Sequence, residues 1–459
     1  MKLAFSAGTL ELETAPGEAL PSCVEPLFRA DPRSGTFRAR ACDYAEAVMA
    51  LRLDGIPFTD EVPDYGPLPG SWELKEKITP RPHQRQALSL WLQAGSRGIA
   101  ALPTGSGKTI LAVLAIAEIR RPALILVPTI DLLSQWAETL ERFFSLPVGM
   151  LGGGSHDVCP LTVSTYDSAV LNMEFIGNRF GLLIADECHH LPAPETRLAA
   201  AMCTAPYRLG LSATPELPED RAEIMRDLLG DIVCQINIDE LEGKVLSPYV
   251  VKRLEIPLDP GEHEKYRAAR EIYITFVRKN RIDFRSETGW SRFLGLAGRT
   301  PEGRAAFRAF LEQRRLARGG EAKIRALWAI LRRHAGERII VFTADNTVAY
   351  DLGRRFLLPV MTHLTRAAER KSFLEGFRSG AYPVLVTNRV LNEGVDVPAA
   401  AVGVVLAGTG SVREHVQRLG RVLRAAPGKS QAVLYELVSA GTSEESVSSR
   451  RRSHRAYYR

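Results

Sequence analysis

Short apolar runs alternate with segments of helical periodicity in two separate stretches of the sequence. Between about residues 73 and 240 the runs are 98–102, 123–127, 161–164, 182–185 and 209–211. Between about 321 and 440 they are 339–342, 384–386, 402–406 and 432–437. Apolar strands that alternate with helices indicate a parallel sheet covered by helices on both faces. The predicted fold class is therefore α/β, with two parallel-sheet lobes in one chain.

Three further segments flank or separate these lobes. Residues 1–72 are predicted to form a small α+β domain, with a hairpin around Ala7-Gly8, a helix over 43–53 and a proline-rich linker at 63–69. Residues 241–320 are charged and have long helical periodicity, which predicts a linker and a helical insertion. The predicted domains are thus 1–72, 73–240, 241–320, 321–445 and a basic tail at 446–459.

The charge balance favours a polyanionic partner. Lys plus Arg number 59 against 53 Asp plus Glu, which gives a net charge of +6 and a pI of about 9.0. The sequence shows no apolar run of membrane-spanning length and no secretory start, so we expect a cytoplasmic protein without a membrane partner. No two of the six cysteines have Cys-x-x-Cys spacing, which disfavours a metal knuckle.

A glycine-rich loop follows the first apolar run. Its sequence is Thr104-Gly105-Ser106-Gly107-Lys108-Thr109, and a helical segment comes directly after it. Glycines let the backbone wrap a phosphate chain, while N–H groups at a helix start face the anion. Lys108 is expected to reach the β- and γ-phosphates of ATP, and the Thr109 hydroxyl to bind Mg²⁺. The strict pattern has glycine at position 102, where this chain has Leu102.

The apolar run 182–185 ends in two acids, Asp186 and Glu187. Burying adjacent carboxylates without a cation is costly, so a plain core strand is a poor explanation for them. With Mg²⁺ nearby, Asp186 would hold the metal and Glu187 would polarise the attacking water. The acid pair and the glycine-rich loop together predict an ATP-hydrolysing site.

The order of the motifs resembles that of superfamily 2 helicases, with two RecA-like lobes. The motifs are Asp186-Glu187-Cys188-His189, Ser212-Ala213-Thr214 and the segment from Gln417 to Arg424. Within that superfamily the chain resembles XPB-type helicases of archaea and bacteria, over nearly its whole length. The matching segments are 34–39, 102–109, 163–169, 186–192, 392–398 and 433–437. The resemblance implies an N-terminal domain similar to a damage-recognition domain, a helical thumb, 3′-to-5′ polarity and a role in excision repair or transcription.

The resemblance also assigns roles in the nucleotide site. Arg421 and Arg424 lie three residues apart, so on a helix they share one face, where a γ-phosphate would relieve their repulsion. Gln417 joins this catalytic segment, and Asp396 is assigned to the nucleotide. Arg81 and Gln84 match the adenine-reading element. The alternative for Gln84 is an exposed side chain at a helix start.

Other roles concern the nucleic acid and the coupling of hydrolysis to movement. Ser212-Ala213-Thr214 would link the ATP site to the nucleic-acid groove, and cleft closure between the lobes would transduce energy. The resemblance also implies contacts at strand ends with the nucleic-acid strand that serves as the track. The residues at these positions are Pro128, Thr129, Thr165, Tyr166, Thr343, Thr387 and Asn388. In the insertion, Arg278, Lys279 and Arg281 are expected to grip a strand together with nearby aromatic residues. The alternative for these aromatic residues is a small core of the helices themselves.

One departure from the family leaves alternatives open. The family has Arg-Glu-Asp shortly after Ser-Ala-Thr and uses it for strand separation, whereas Pro218 precedes Glu219-Asp220 here. The prediction is an ATP-dependent DNA helicase or translocase acting at junctions of single-stranded and duplex DNA. The alternatives are a duplex-DNA translocase with weak unwinding, an ATP-gated clamp that recruits a nuclease partner, and an RNA helicase.

Overall fold

The computed structural model describes residues 1–15, 19–66, 71–214, 217–241, 243, 247–284, 286, 288–388, 400–407, 431–445 and 448. The chain divides into two compact units, one spanning residues 1–241 and the other drawn from the residues that follow. None of the described helices is both long enough and apolar enough to cross a lipid bilayer.

The first unit begins with a five-stranded sheet. Its elements are β1 (Lys2–Ser6), β2 (Thr9–Glu13), β3 (Arg29–Asp31), β4 (Thr36–Arg40), α1 (Tyr44–Leu53) and β5 (Thr59–Glu61). The order is β3-β4-β2-β1-β5, in which β1 and β5 are parallel and the other pairs antiparallel. The predicted hairpin is confirmed, because Ala7 and Gly8 turn between β1 and β2 at φ angles of 47° and 77°. The predicted helix is also confirmed as α1, which contributes Ala47, Val48 and Leu51 to the core of this domain.

The first α/β lobe follows within the same unit. Its elements are α2 (Pro82–Gln93), β6 (Arg97–Ala101), α3 (Lys108–Ile119), β7 (Ala123–Val127), α4 (Ile130–Phe143), β8 (Val148–Gly152), β9 (Ser155–His156), β10 (Leu161–Thr165), α5 (Tyr166–Ile176), β11 (Leu182–Asp186), α6 (Leu198–Ala201), β12 (Tyr207–Ser212), α7 (Glu219–Leu229), β13 (Ile232–Gln235) and α8 (Ile238–Leu241). The sheet order is β13-β6-β12-β11-β7-β10-β8-β9. All pairs are parallel except β8 with β9. All five predicted strands are present, and the buried apolar runs form the centre of the sheet.

The N-terminal sheet packs directly on this lobe. Arg40, at the end of β4, forms an ion pair with Asp227 of α7. Asn178 donates a side-chain hydrogen bond of 2.8 Å to the Val62 carbonyl oxygen. Cys42 belongs to the buried apolar cluster of the lobe itself. The small domain and the first lobe therefore pack against each other and form one body, rather than two domains joined only by a linker.

The second unit contains a six-stranded parallel sheet. Its elements are β14 (Tyr249–Pro257), α9 (Pro260–Lys279), α10 (Gly289–Arg299), α11 (Pro301–Gly319), α12 (Glu321–Arg333), β15 (Ile339–Phe342), α13 (Asn346–Phe356), β16 (Val360–Met361), α14 (Ala367–Ser379), β17 (Val384–Thr387), β18 (Val402–Val405) and β19 (Ala432–Ala440). The order is β14-β19-β18-β15-β17-β16. The predicted α/β class with two parallel-sheet lobes is confirmed.

The strand β14 corrects one detail of the predicted domain organisation. Residues 249–257 fall within the predicted interval 241–320, together with the insertion. In the structure this segment pairs along its whole length with β19, so it is the edge strand of the second sheet. Its side chains alternate between half-buried and exposed along most of the strand. The exposed positions include charged residues such as Lys252 and Glu255, so the segment lacks the continuous apolar run that marks the central strands.

The helices α9, α10 and α11 form the insertion between β14 and α12. Phe276 and Phe293 are buried at its centre, and Tyr273 packs edge-on against Phe293 at 5.7 Å between ring centroids. These three aromatic residues support the alternative of a small helical core. Phe284 and Trp290 pack on the same cluster but are each 42% exposed, so one side of the cluster is open to solvent.

Candidate nucleotide and nucleic-acid sites

The phosphate loop joins the end of β6 to the start of α3. Gly105 and Gly107 adopt positive φ angles of 86° and 90°, which glycine tolerates without a steric cost. Gly107 is the N-cap of α3 and Lys108 its first residue, so the unpaired N–H groups of the helix start lie at the loop. Among the described residues, the hydroxyls of Thr104 and Ser106 are buried without a hydrogen-bond partner. Such orphaned donors at a helix N-terminus suit phosphate oxygens, so the loop fits a nucleoside triphosphate.

The structure explains why Leu102 can replace the usual glycine. Its side chain is fully buried, and its N–H donates a 2.8 Å hydrogen bond to the Ser212 carbonyl oxygen. Position 102 therefore continues the contact between β6 and β12 and lies before the turn that wraps the phosphates. A side chain at this position packs into the lobe and leaves the loop intact.

The acid pair lies next to the phosphate loop, as the sequence predicts. Asp186 ends β11, and Glu187 follows in a left-handed backbone conformation with φ 48° and ψ 51°. A non-glycine residue in this region stores strain of about 1–3 kcal/mol, and such residues cluster at functional sites. Glu187 Oε1 lies 3.8 Å from Lys108 Nζ. The strained turn thus brings Lys108, Asp186 and Glu187 together.

Asp186 is buried, and each of its carboxylate oxygens accepts a hydrogen bond. Trp136 Nε1 donates to Oδ2 at 2.8 Å, and the backbone N–H of Glu187 donates to Oδ1 at 3.0 Å. Burial, followed by the charge of Glu187, raises the pKa of Asp186 to about 6, although Lys108 acts in the opposite direction. A divalent cation would offset this cost. Carboxylate and hydroxyl oxygens are the ligands that Mg²⁺ prefers, so Asp186 and Thr109 fit this ion.

Ser212-Ala213-Thr214 follows β12 and is linked to the acid pair through His189. His189 Nδ1 lies 3.3 Å from Ser212 Oγ and 3.5 Å from Glu187 Oε2. Ser212 Oγ accepts a hydrogen bond of 3.1 Å from the Thr214 N–H. This chain of contacts gives a physical route between the acid that faces the phosphates and the tripeptide assigned to coupling.

The adenine-reading element forms the start of α2. Gln84 is buried, so the alternative of an exposed side chain at a helix start is wrong. Its Oε1 accepts from the Arg81 N–H at 2.9 Å, and its Nε2 donates to the carbonyl oxygens of Ser106 at 3.2 Å and Gly107 at 3.1 Å. His83 Nε2 lies 2.8 Å from the same Ser106 oxygen. The Nε2 end of the Gln84 amide therefore braces the phosphate loop and the Oε1 end caps its own helix start, so pairing with adenine would require an exchange of these bonds.

Comparison with known proteins covers most of the chain. Residues 77–217 match the family described as type III restriction enzyme, res subunit, and residues 322–426 match the helicase conserved C-terminal domain. Residues 3–62 match the xeroderma pigmentosum group B (XPB) helicase damage recognition domain. A DNA 3′-5′ translocase XPB2 of Sulfurisphaera tokodaii is 39% identical over 95% of this chain and 98% of its own length. This chain belongs to the XPB family.

Two bacterial relatives of the XPB family are longer than this chain. The DNA 3′-5′ helicases XPB of Mycobacterium tuberculosis and Kineococcus radiotolerans are 31% and 30% identical to it. The alignments cover 80% and 81% of this chain but only 61% and 62% of those proteins.

The damage-recognition match coincides with the five-stranded N-terminal sheet, in which Arg38 pairs with Asp31 and Glu11.

The strand ends that the XPB resemblance assigned to the track carry mostly buried side chains. The Tyr166 hydroxyl donates to the Asp186 carbonyl oxygen at 2.9 Å, and Thr343 donates to the Thr387 carbonyl oxygen at 3.2 Å. Tyr166, Thr343 and Thr387 are buried, and their hydroxyls are engaged in internal hydrogen bonds. The track contacts at these strand ends stay a prediction, and they would be made through backbone groups. The Asn388 amide is likewise buried and donates to Asn346.

Two other strand ends begin helices. Thr129 caps α4 by accepting a hydrogen bond of 3.3 Å from the Leu132 N–H. Thr165 caps α5 by accepting one of 3.2 Å from the Ser168 N–H. Pro128, before the first of these caps, is half-buried. Both threonine hydroxyls therefore cap helices, and a contact with nucleic acid here would involve other groups near the two helix starts.

In the insertion, the three predicted basic residues are on the surface. Arg278 and Lys279 occupy the last turn of α9, and Arg281 follows with a positive φ of 48°. All three are exposed, and they lie just before the half-exposed Phe284 in the sequence. Charge and aromatic surface therefore occur together at this end of the insertion.

Four residues predicted for the nucleotide site lie outside the described residues. They are Asp396, Gln417, Arg421 and Arg424. Within the described residues, sequence reasoning missed the roles of His83 and Trp136. His83 lies in α2 and Trp136 in α4, and no sequence signal indicates which distant atom a ring nitrogen will contact.

Proposed function

We propose that this chain is an ATP-dependent 3′-5′ DNA helicase or translocase that opens DNA in nucleotide excision repair or transcription. The observation that carries the proposal is the assembly of Lys108, Asp186 and Glu187 at one phosphate loop, in a chain of the XPB family. The polarity and the DNA track are supported by the name of the Sulfurisphaera tokodaii relative. The proposed substrate is a junction of single-stranded and duplex DNA, and the proposed location is the cytoplasm.

In the proposed reaction, Glu187 would polarise the attacking water and accept its proton through a carboxylate that lies beside the loop, 3.8 Å from Lys108 Nζ. Lys108 contacts the β- and γ-phosphates from the start of α3. Bound Mg²⁺ would supply charge neutralisation at these phosphates, and Asp186 and Thr109 would hold it. Because Asp186 is already hydrogen-bonded at both oxygens, the site is pre-organised before the metal binds.

The second lobe is proposed to supply the arginines. Arg421 and Arg424 would stabilise charge on the transferring phosphoryl group, with Gln417 and Asp396 nearby in the nucleotide site. These assignments rest on the XPB resemblance. An arginine of this kind acts on the transition state, so its loss should leave ATP binding in place.

The track is proposed to touch the exposed end of the insertion. Arg278, Lys279 and Arg281 would neutralise backbone phosphates, and the open faces of Phe284 and Trp290 would stack on bases. The first lobe would contribute backbone groups near Thr129 and Thr165, since their hydroxyls already cap helices.

A second candidate is a duplex-DNA translocase with weak unwinding. Pro218 is the N-cap of α7, and Glu219, Asp220 and Arg221 follow it on the exposed first turn. Position 218 therefore offers neither a charge nor a donor where the family has arginine. The S. tokodaii relative, which matches over 98% of its length, is named a translocase. A further variant of this candidate is an ATP-gated clamp that recruits a nuclease partner and hydrolyses little ATP. The intact acid pair argues against this variant, because a clamp of this kind does not need a complete catalytic site.

The test is a panel of ATPase rates with no nucleic acid, single-stranded DNA, duplex DNA, forked DNA and RNA. We expect stimulation by forked or duplex DNA that weakens as salt rises, because phosphate contacts release counterions. Stimulation by RNA and by no DNA would refute the proposal. Glu187→Gln serves as the matched inactive control.

A second experiment separates helicase from translocase. Strand displacement from a fork and third-strand displacement from a triplex are measured for wild type and for Pro218→Arg. A translocase with weak unwinding displaces the third strand efficiently, and Pro218→Arg gains fork unwinding at an unchanged ATPase rate. Efficient fork unwinding by the wild type would instead favour the helicase.

A further inference from the structure

Trp136 contacts the carboxylate that is proposed to hold the metal. Its Nε1–H donates to Asp186 Oδ2 at 2.8 Å, and both side chains are buried, with Trp136 only 2% exposed. A hydrogen bond to a buried charged acceptor is about twice as strong as one between neutral groups. The bond therefore fixes the direction in which the remaining lone pairs of Asp186 are presented.

The helix that carries Trp136 begins at a proposed track contact. α4 starts at Ile130, directly after the cap Thr129, and Ile130 is 56% exposed. Trp136 follows Thr129 by seven residues, a rise of about 10 Å along the helix axis. The other buried residues of α4 are apolar and pack into the lobe, so we expect the helix to move as one rigid element. A displacement of the exposed start of α4 would therefore also displace the indole nitrogen of Trp136.

We propose that Trp136 is a positioning residue that sets the metal-binding geometry of Asp186 and transmits the position of α4 to it. Its first role concerns the protein alone. The second role rests on the proposed DNA track, because α4 must be displaced by nucleic acid at its start. Hydrogen bonds weaken steeply as they lengthen or bend, so a small shift of the indole changes how firmly Asp186 is held.

The lobe contains a matched control for this bond. Trp91 is also buried, and its Nε1–H also donates a hydrogen bond of 2.8 Å. Its acceptor, however, is the neutral carbonyl oxygen of Arg208, at the start of β12 and far along the strand from the phosphate loop. Trp91→Phe and Trp136→Phe remove the same donor from the same kind of environment, and they differ in the acceptor that is left behind.

The first arm of the test measures metal affinity without turnover. Mn²⁺ binding in the presence of ADP is followed by electron paramagnetic resonance for wild type, Trp136→Phe and Trp91→Phe, after thermal unfolding confirms that each variant is folded. Loss of a hydrogen bond to a metal ligand typically weakens metal affinity 10- to 100-fold. We expect a loss of about tenfold for Trp136→Phe and no loss for Trp91→Phe. Unchanged Mn²⁺ affinity in folded Trp136→Phe would overturn the proposal.

The second arm measures the ratio of DNA-stimulated to basal ATP turnover at saturating Mg²⁺. We expect Trp136→Phe to lower this ratio and Trp91→Phe to preserve it. An unchanged ratio together with weakened Mn²⁺ binding would overturn the transmission role alone. A wild type that DNA does not stimulate would refute the proposed function while the metal arm still decides the first role. If Trp136→Phe does not fold, Trp136→Met and Trp91→Met, which also lack an N–H or O–H donor, replace the two variants in both arms.

Discussion

Arg208→Met tests how the strand leading to the coupling tripeptide is anchored. Arg208 lies in β12, four residues before Ser212, and its side chain is fully buried. The guanidinium donates to four backbone carbonyl oxygens, those of Ala200, Cys203, Ala205 and Leu228. It therefore ties the strand to the ends of α6 and α7.

The expected loss of stability follows from the hydrogen-bond acceptors that the substitution leaves without a donor. The partners of Arg208 are neutral carbonyl groups, so its removal leaves buried acceptors unsatisfied rather than a buried charge unpaired. Here the four carbonyl groups remain, and each loses a donor at about 1 kcal/mol, which gives about 4 kcal/mol in total. Methionine retains most of the apolar stem, so the loss of hydrogen bonds dominates.

The assay is hydrogen–deuterium exchange of the peptide that contains β12. A loss of about 4 kcal/mol corresponds to exchange that is faster by about 10³-fold when opening is at equilibrium. Arg85→Met is the matched control, because Arg85 is exposed on α2 of the same lobe. If exchange in β12 of Arg208→Met stays close to that of Arg85→Met, the carbonyl cluster does not depend on the guanidinium and the reasoning is refuted.

Three further predictions concern turnover. Glu187→Gln should keep ATP affinity and lose DNA-stimulated hydrolysis, measured by equilibrium nucleotide binding and steady-state ATPase; retained turnover would remove Glu187 from its role. Arg424→Ala should likewise bind ATP normally but lose stimulated turnover by about 10³-fold or more, and near-wild-type turnover would exclude it from the γ-phosphate. Replacing Arg278, Lys279 and Arg281 together with Ala should reduce the salt slope of DNA binding by up to about 3, with an unchanged circular dichroism spectrum; an unchanged slope would leave the aromatic cluster as a purely structural core.

The sequence predicted the parts of the fold in which local pattern and burial agree. The central strands, such as β7 and β11, are continuous apolar runs because helices cover both faces of the sheet. The phosphate loop and the acid pair were predictable because their chemistry demands glycines and acids at strand ends. The edge strand β14 was not, since its charged, half-exposed residues resemble those of a surface helix.

The remaining differences come from tertiary contacts that no local pattern encodes. Thr343 follows β15 and Thr387 ends β17, as expected, but the burial of their hydroxyls depends on how these neighbouring strands end side by side. Gln84 was assigned to adenine from its motif, whereas its amide braces Ser106 and Gly107 across more than twenty residues of sequence. Trp136 belongs to no motif, and its partner Asp186 lies 50 residues later in the sequence.

The pairing of β14 with β19 also bears on how the protein is made. Tyr249 pairs with Ala432, which lies 432 − 249 = 183 residues later in the chain. On the ribosome, β14 emerges long before its neighbour, so its backbone waits without a partner while the insertion and most of the second sheet are synthesised. Contacts between such distant segments form late, and an unpaired strand edge favours association with other chains. The first unit can complete its own sheets by then, so the second lobe is the part of this protein most dependent on protection during synthesis.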